Sequence, residues 1–150
     1  MQFDLPKEQS SIIKVFGVGG GGSNAVNHMY RQGITGVDFI ICNTDQQALD
    51  ISPVPVRIQL GSTLTEGRGA GSIPDVGRNA AIEDIETVKE ILQRNTKMVF
   101  ITAGMGGGTG TGAAPVYVKV IFVCVVSTTL TSRIRSLLEG VASPANIVVV

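Results

Sequence analysis

A chain of 150 residues, 43% hydrophobic and 16% charged, holds enough apolar material for one buried core and too little charge for a disordered polymer. Twelve basic and twelve acidic side chains cancel to a net charge of zero, which removes the electrostatic ground for binding nucleic acid or an anionic membrane surface. Cys42 and Cys124 lie in separate apolar runs and read as buried thiols, neither a disulfide nor a metal pair.

Residues 1–11 are polar and are expected to form a loose arm without the apolar stretch of a signal peptide. The longest apolar run, Val120–Val126, falls far short of the ~20 residues of a membrane helix, so a cytoplasmic protein without membrane insertion is expected. Ile12–Phe16 is a short β-branched and aromatic run ending in glycines, which predicts a strand. Ser23 or Asn24 is expected to cap a helix reaching Gln32 and closed by Gly33. Val37–Cys42, apolar on both faces, predicts a central parallel strand, and Thr44-Asp45 caps a short helix through Leu49. Val54–Leu60 sets Val54, Val56, Ile58 and Leu60 against Arg57 and Gln59, the alternation of a half-buried strand nearer an edge.

Gly61–Gly77 reads as a long loop. One helix is expected over Asp75–Asn95, with an apolar stripe of Ala81, Ile85, Val88 and Leu92. Its Glu83, Asp84 and Glu86 read as the polar face, and Glu86 with Lys89 and Glu90 with Arg94 are spaced for surface pairs. Met98–Thr102 predicts another buried strand. Gly104–Gly112 is a second glycine loop, running into a helix with Pro115 in its first turn. Val120–Val126 and Ile147–Val150 are expected as strands, with a helix around residues 133–140 between them. Strands alternating with helices predict an α/β fold: a Rossmann-like parallel sheet with helices on both faces. Such sheets bind ligands beyond the carboxyl ends of their strands, and each glycine loop follows a strand, so all are expected on one rim.

The first loop, Gly17 to Asn24, holds G-x-G-x-x-G at Gly17, Gly19 and Gly22. Glycines let the backbone approach phosphate oxygens, and a helix N-terminus offers unpaired N–H groups and a partial positive charge. Alone, this motif fits a tight turn, or a dinucleotide fold with Asp45 as the ribose-binding acid. The second loop has six glycines in nine residues, an entropic burden that a mere turn does not require. It adds a second set of backbone donors and two threonine hydroxyls, for which a dinucleotide fold has no need. No G-x-x-x-x-G-K-[ST] occurs, so phosphate would be neutralised by backbone N–H groups, helix dipoles and a metal ion, without a loop lysine.

Gly-Gly-Gly-Thr-Gly-Thr-Gly at 106–112 resembles the signature loop of the tubulin/FtsZ family. Gly-Gly-Gly-Gly-Ser-Asn at 19–24, Asn43-Thr44-Asp45, Leu64-Thr65-Glu66-Gly67 and Gly69-Ala70-Gly71 agree with it, and the likeness runs over roughly residues 10–116. The resemblance implies a GTP-binding α/β domain followed by a long central helix and a second domain. It implies GTP or GDP as ligand, with Mg2+ accompanying the nucleotide. It further implies head-to-tail filaments at midcell, self-association or association with full-length family members, and membrane-tethering division proteins as partners. In the family an acidic loop of one subunit hydrolyses the GTP of the next. Carried over by position, Gly20, Gly21, Gly22, Ser23 and Asn24 wrap the phosphates and the start of the nucleoside. Asn43 and Asp45 support the loop after the second strand. Ala70, Gly71 and Ser72 lie near the γ-phosphate. Gly106, Gly107, Gly108, Thr109 and Gly110 bind the α- and β-phosphates, and Arg135 corresponds to a nucleotide-binding arginine.

Departures from the family pattern are confined to identifiable places. Ala70-Gly71-Ser72-Ile73-Pro74-Asp75 stands where the family has Ala-Gly-Ala-Asn-Pro-Glu, and Arg68 is expected to point to solvent. After Pro115 the likeness decays: Thr131-Ser132-Arg133-Ile134-Arg135 replaces a Glu-Gly-x-x-Arg segment without its Glu, and no Asn-x-Asp-x-x-Asp occurs. Residues 12–150 are therefore expected as an incomplete GTP-binding domain, diverged over 116–150, with no catalytic residue and no protein metal ligand of its own. Binding is expected more than turnover. The competing readings are an NAD-type dinucleotide enzyme and a remnant that only modulates filaments. His28, the sole histidine, reads as a surface residue of the first helix.

Overall fold

The computed structural model describes residues 11–134 and 147–149, with side chains described as far as residue 121. Five strands, β1 (Ile13–Val18), β2 (Asp38–Asn43), β3 (Val56–Gln59), β4 (Met98–Ala103) and β5 (Ile147–Val149), form one sheet in the order β3-β2-β1-β4-β5, every pair parallel. Among the described residues six helices connect or flank them: α1 (Gly19–Arg31), α2 (Gln46–Asp50), α3 (Ser62–Thr65), α4 (Pro74–Glu83), α5 (Ile85–Gln93) and α6 (Thr109–Ile134).

Alternate residues of a strand face opposite ways, so a sheet buried on both sides needs continuous apolar runs. Val15, Phe39 and Ile41 join Val26, Leu49 and Val54 in one core, under α1 and α2. Phe16, Val18, Ile40 and Cys42 join Ala80, Ala81, Val88, Leu92, Ala113 and Tyr117 in the other, under α4, α5 and α6. The expected parallel sheet with helices on both faces is therefore present. Cys42 is a free, fully buried thiol, and burial pushes its pKa up. The side chain of Cys124 lies outside the described residues. β3 is an edge strand shorter than the expected Val54–Leu60; Ile58 within it and the flanking Val54 and Leu60 are buried, whereas Val56 is exposed.

Several expectations change. The helix expected over Asp75–Asn95 is two helices, parted at Asp84 (φ −105°, ψ 21°). Asp84 Oδ2 accepts the Gly61 N–H at 2.7 Å and Glu83 Oε1 accepts the Thr63 N–H at 3.0 Å. Two carboxylates read as a polar face thus anchor the loop after β3, which itself contains α3; Glu86 pairs with Lys89 at 2.6 Å as spaced. The run Val120–Val126 is helix, continuous with α6, because Ala113, Ala114, Tyr117, Val120 and Ile121 bury one helical face in the core. Tertiary burial overrides the β-branched preference. Pro115 accordingly lies inside α6, where its missing N–H leaves the Thr111 carbonyl without its helical donor. Ile147–Val149 pairs with β4 as expected for a strand. The arm at residues 1–10 and most of the helix expected around residues 133–140 lie outside the described residues.

At the amino end of the sheet, Lys14 is 2% exposed yet charged. Its Nζ donates to Asp38 Oδ2 at 2.9 Å and to the Ser11 carbonyl at 3.3 Å, and the Ser11 N–H donates to the same Asp38 oxygen at 3.0 Å. This polar knot closes the end of the sheet away from the glycine loops.

Candidate nucleotide-phosphate site

The carboxyl ends of β1 and β4 lead directly into glycines that wedge helix starts together. Gly19 turns the chain from β1 into α1 with φ 71°, a left-handed geometry suited to glycine. A Cβ there would lie 2.7 Å from the Gly110 nitrogen, and one at Gly21 would lie 3.0 Å from the Gly104 Cα. A Cβ at Gly22 would strike the Thr102 carbonyl, and one at Gly110 the Gly104 carbonyl. Gly77 sits against the Gly108 carbonyl and Gly112 against the Pro74 carbonyl. Backbone-to-backbone contact therefore draws the N-termini of α1, α4 and α6 to one place.

None of these three starts carries a side-chain cap from its N-cap residue. Val18 and Ile73 supply none, and Gly108, whose carbonyl takes the first α6 bond from the Gly112 N–H at 3.0 Å, has no side chain. First-turn N–H groups of a helix have no intrahelical acceptor, and aligned peptide dipoles add partial positive charge. Three such ends on one rim make an anion-binding surface. The expected cap at Ser23 or Asn24 is thereby corrected: the glycines themselves form the first turn of α1, because only they fit against Thr102 and Gly104. Ser23 is buried inside α1, its Oγ without a hydrogen-bond partner, and Asn24 is exposed.

A second set of glycines behaves oppositely. A Cβ at Gly20, Gly71, Gly106 or Gly107 would meet nothing within 4 Å, and all four positions are exposed. At Gly20 and Gly107 φ is not left-handed either, so neither conformation nor packing calls for glycine. What an absent Cβ leaves there is free approach from outside, as a phosphate requires. In the loop after β3, Gly71 (φ 58°) and Ser72 (φ 61°) are left-handed in succession, costing about 1–2 kcal/mol at the serine. Ala70 is buried, its carbonyl accepting the Ile73 N–H at 3.0 Å, while the Ile73 side chain points outward. Ala70 and Ile73 both abut Gly108, so this loop and the second glycine loop touch.

Asn43 Oδ1 accepts the N–H groups of Thr44 (2.8 Å) and Asp45 (3.3 Å), and Asp45 Oδ1 caps α2 through Gln47 (2.9 Å) and Ala48 (3.3 Å). Both side chains serve the turn after β2; Asp45 Oδ1 is occupied by a cap where a dinucleotide site would turn a carboxylate to a ribose. Arg68 pairs with Glu66 at 3.0 Å in solvent. Thr109 is buried at the α6 start, and Thr111 Oγ1 accepts the Gly106 N–H at 3.0 Å. Arg135 lies outside the described residues, and His28 is exposed on α1. Among the described residues no group of three or more His, Cys, Asp or Glu side chains could hold a metal. Thr44, expected to share the α2 cap with Asp45, does not cap it: the cap is Asp45 alone, and the buried Thr44 hydroxyl instead meets that of Thr109 at 2.6 Å, a contact that nothing local in the sequence signals.

Residues 12–148 match the GTPase domain of the Tubulin/FtsZ family. The chain belongs to the tubulin/FtsZ family. It is 63% identical over 107 residues to the cell division protein FtsZ of Aquifex aeolicus, an alignment covering 71% of this chain and 29% of that protein. An empty FtsZ dimer from M. jannaschii matches with a TM-score of 0.70 at 41% identity, over 76% of this chain and 33% of that one. CetZ2 from Haloferax volcanii, solved as a GTPγS-bound protofilament, matches with a TM-score of 0.64 at 30% identity, over 73% and 35% of the two chains. The chain spans less than a third of the length of these curated FtsZ relatives. In this tubulin/FtsZ domain the glycine loops occupy one rim, with α1, α4 and α6 aimed at it.

Proposed function

We propose that this chain is the phosphate-binding part of a GTP-binding, tubulin-like cell-division protein, with residues 12–150 forming the GTP-binding domain and 116–150 its diverged portion. The observation that carries this reading is the convergence of three uncapped helix N-termini beneath glycines whose missing Cβ atoms serve no packing contact. Gly20, Gly21 and Gly22 with Ser23 and Asn24 receive the phosphates and the start of the nucleoside. Ala70, Gly71 and Ser72 face the γ-phosphate, and Gly106, Gly107, Gly108, Thr109 and Gly110 the α- and β-phosphates. Asn43 and Asp45 hold the loop behind them, and Arg135, which lies outside the described residues, corresponds by position to a nucleotide-binding arginine of the family. Mg2+ would accompany the nucleotide, where a hard cation would offset phosphate charge.

The likeness to CetZ2 from Haloferax volcanii, a GTPγS-bound protofilament, supports both a guanine nucleotide and filament assembly. Assembly into head-to-tail filaments, or onto full-length FtsZ, with GTP hydrolysis at the subunit interface, is the corresponding activity. Its setting is the cytoplasm at midcell, with membrane-tethering division proteins as partners; no helix among the described residues is long and apolar enough to cross a membrane. A competition experiment separates this reading from the NAD-type alternative. GTP displaces a fluorescent guanine nucleotide from the chain at concentrations where NAD does not. Displacement by NAD at lower concentration than GTP would overturn the proposal.

A further inference from the structure

We propose that the segment before β1 folds back across the amino end of the sheet and lays Phe3 and Leu5 in the apolar groove there. The groove measures 420 Å³ and is lined by Tyr30, Val37, Phe39, Pro55, Val56 and Ile91, with Lys14 and Asp38 at its margin. Tyr30 stands edge-on to Phe39, their ring centroids 5.9 Å apart and their planes at 88°. Tyr30 and Val56 are each 39% exposed, and Pro55 beside Val56 is exposed as well. β3 is a sheet edge, where apolar groups in the open invite pairing with another chain unless they are covered.

Three observations point to this chain's own residues 1–10, which lie outside the described residues, as the cover. The first is where that segment joins the fold. The Ser11 N–H donates to Asp38 Oδ2 at 3.0 Å, and Lys14 Nζ donates to the Ser11 carbonyl at 3.3 Å. Both side chains line the groove, so the chain enters β1 from the groove's margin, on the β2 side. The second is reach. The order β3-β2-β1 sets β3 two strand spacings, about 10 Å, from β1. The chain from Phe3 to Ser11 spans up to about 26 Å when extended, ample for that crossing. The third is pattern. Met1, Phe3 and Leu5 alternate with Gln2 and Asp4, the period of an extended segment with one apolar face. Pro6 disfavours helical backbone at Leu5 and favours extended backbone there. An arm that is polar on average thus gathers its apolar side chains on the one face that a groove accepts. The contact lies at the opposite end of the sheet from the glycine loops and needs no nucleotide.

The chain has two tyrosines and no tryptophan, and Tyr117 is wholly buried, so acrylamide quenching of tyrosine fluorescence reads Tyr30. Quenching and melting temperature are measured on the whole chain, on Phe3→Ser/Leu5→Ser, and on Gln2→Ser/Asp4→Ser, which alters the opposite face. Loss of the apolar pair raises the quenching and lowers the melting temperature by about 2–4 °C, whereas the polar pair leaves both at the wild-type value. Val56→Ser repeats the test from the groove side: it raises the quenching in the wild-type chain and adds nothing in the Phe3→Ser/Leu5→Ser background. Quenching that does not rise when Phe3 and Leu5 are replaced, or that rises equally with the polar pair, overturns the proposal. So does wild-type protection of Tyr30 that disappears on dilution, since that assigns the groove to a second copy of the chain.

Discussion

Gly22→Ala is expected to destabilise the fold strongly, while Gly20→Ala, two residues away, leaves the fold intact and weakens nucleotide binding. At Gly22 a methyl would be driven into the Thr102 carbonyl of β4, a backbone atom with no rotamer to yield. Forcing apart α1 and β4 costs about 3 kcal/mol or more, which lowers the melting temperature of a chain this size by about 6–12 °C. That is a large share of the ~5–15 kcal/mol that holds a domain folded. At Gly20 the methyl meets no protein atom and sits in the first turn of a helix. Replacing glycine by alanine in a helix is worth about 0.5–1 kcal/mol, so the melting temperature holds or rises slightly. The same methyl stands where a phosphate oxygen must approach, and GTP affinity falls about tenfold or more. Thermal melts paired with nucleotide titrations check both halves. Equal loss of stability in the two variants would show that Gly20 is a packing residue like Gly22.

The second large effect is an asymmetry in the Lys14–Asp38 pair. Asp38→Ala leaves a 2% exposed ammonium without its carboxylate and is expected to cost about 3–5 kcal/mol. Lys14→Met keeps the volume and removes the buried charge, leaving Asp38 a third exposed and still bonded by the Ser11 N–H. It is expected to change stability by no more than about 1 kcal/mol. Urea denaturation of the three proteins at pH 7 measures the difference. The pH dependence has a defined sign. Burial raises the Asp38 pKa, but the hydrogen bonds and charge of Lys14 and the Ser11 N–H outweigh it and hold the carboxyl below its ordinary value of 3.8. The unfolded chain thus binds the proton first. The contribution is present above about pH 4 and is lost as pH falls through the lower folded value. Lys14→Met is expected to flatten this acid limb.

Strands were legible in the sequence because two-sided burial demands apolar residues at every position, as in Phe39–Cys42 and Val99–Ile101. The break at Asp84 was not. The stripe of Ala81, Ile85, Val88 and Leu92 runs through it in phase, and its local cause, the Gly61 N–H held by the Asp84 carboxylate, lies 23 residues away. Val120–Val126 misled in the opposite direction, since β-branched residues favour strands until a helix already packed through Tyr117 and Ile121 extends over them. In the candidate site the sequence located the loops, whereas the division of labour among their glycines is tertiary. Gly20 and Gly22 are identical letters; what separates them is that β4 passes beneath one and nothing lies over the other. The same applies to Thr44, whose neighbours on either side carry the more conspicuous side chains but whose hydroxyl reaches α6.

The rim at the carboxyl ends of the strands is the nucleotide site on this account, and amide hydrogen exchange of the whole chain with and without GTP tests that most directly. GTP is expected to slow exchange at residues 19–24, 70–73 and 106–111, where three helix starts meet, and to leave the far end of the sheet unchanged. Protection centred instead on the 420 Å³ groove at that far end, lined by Lys14, Tyr30, Phe39, Val56 and Arg94, would contradict it.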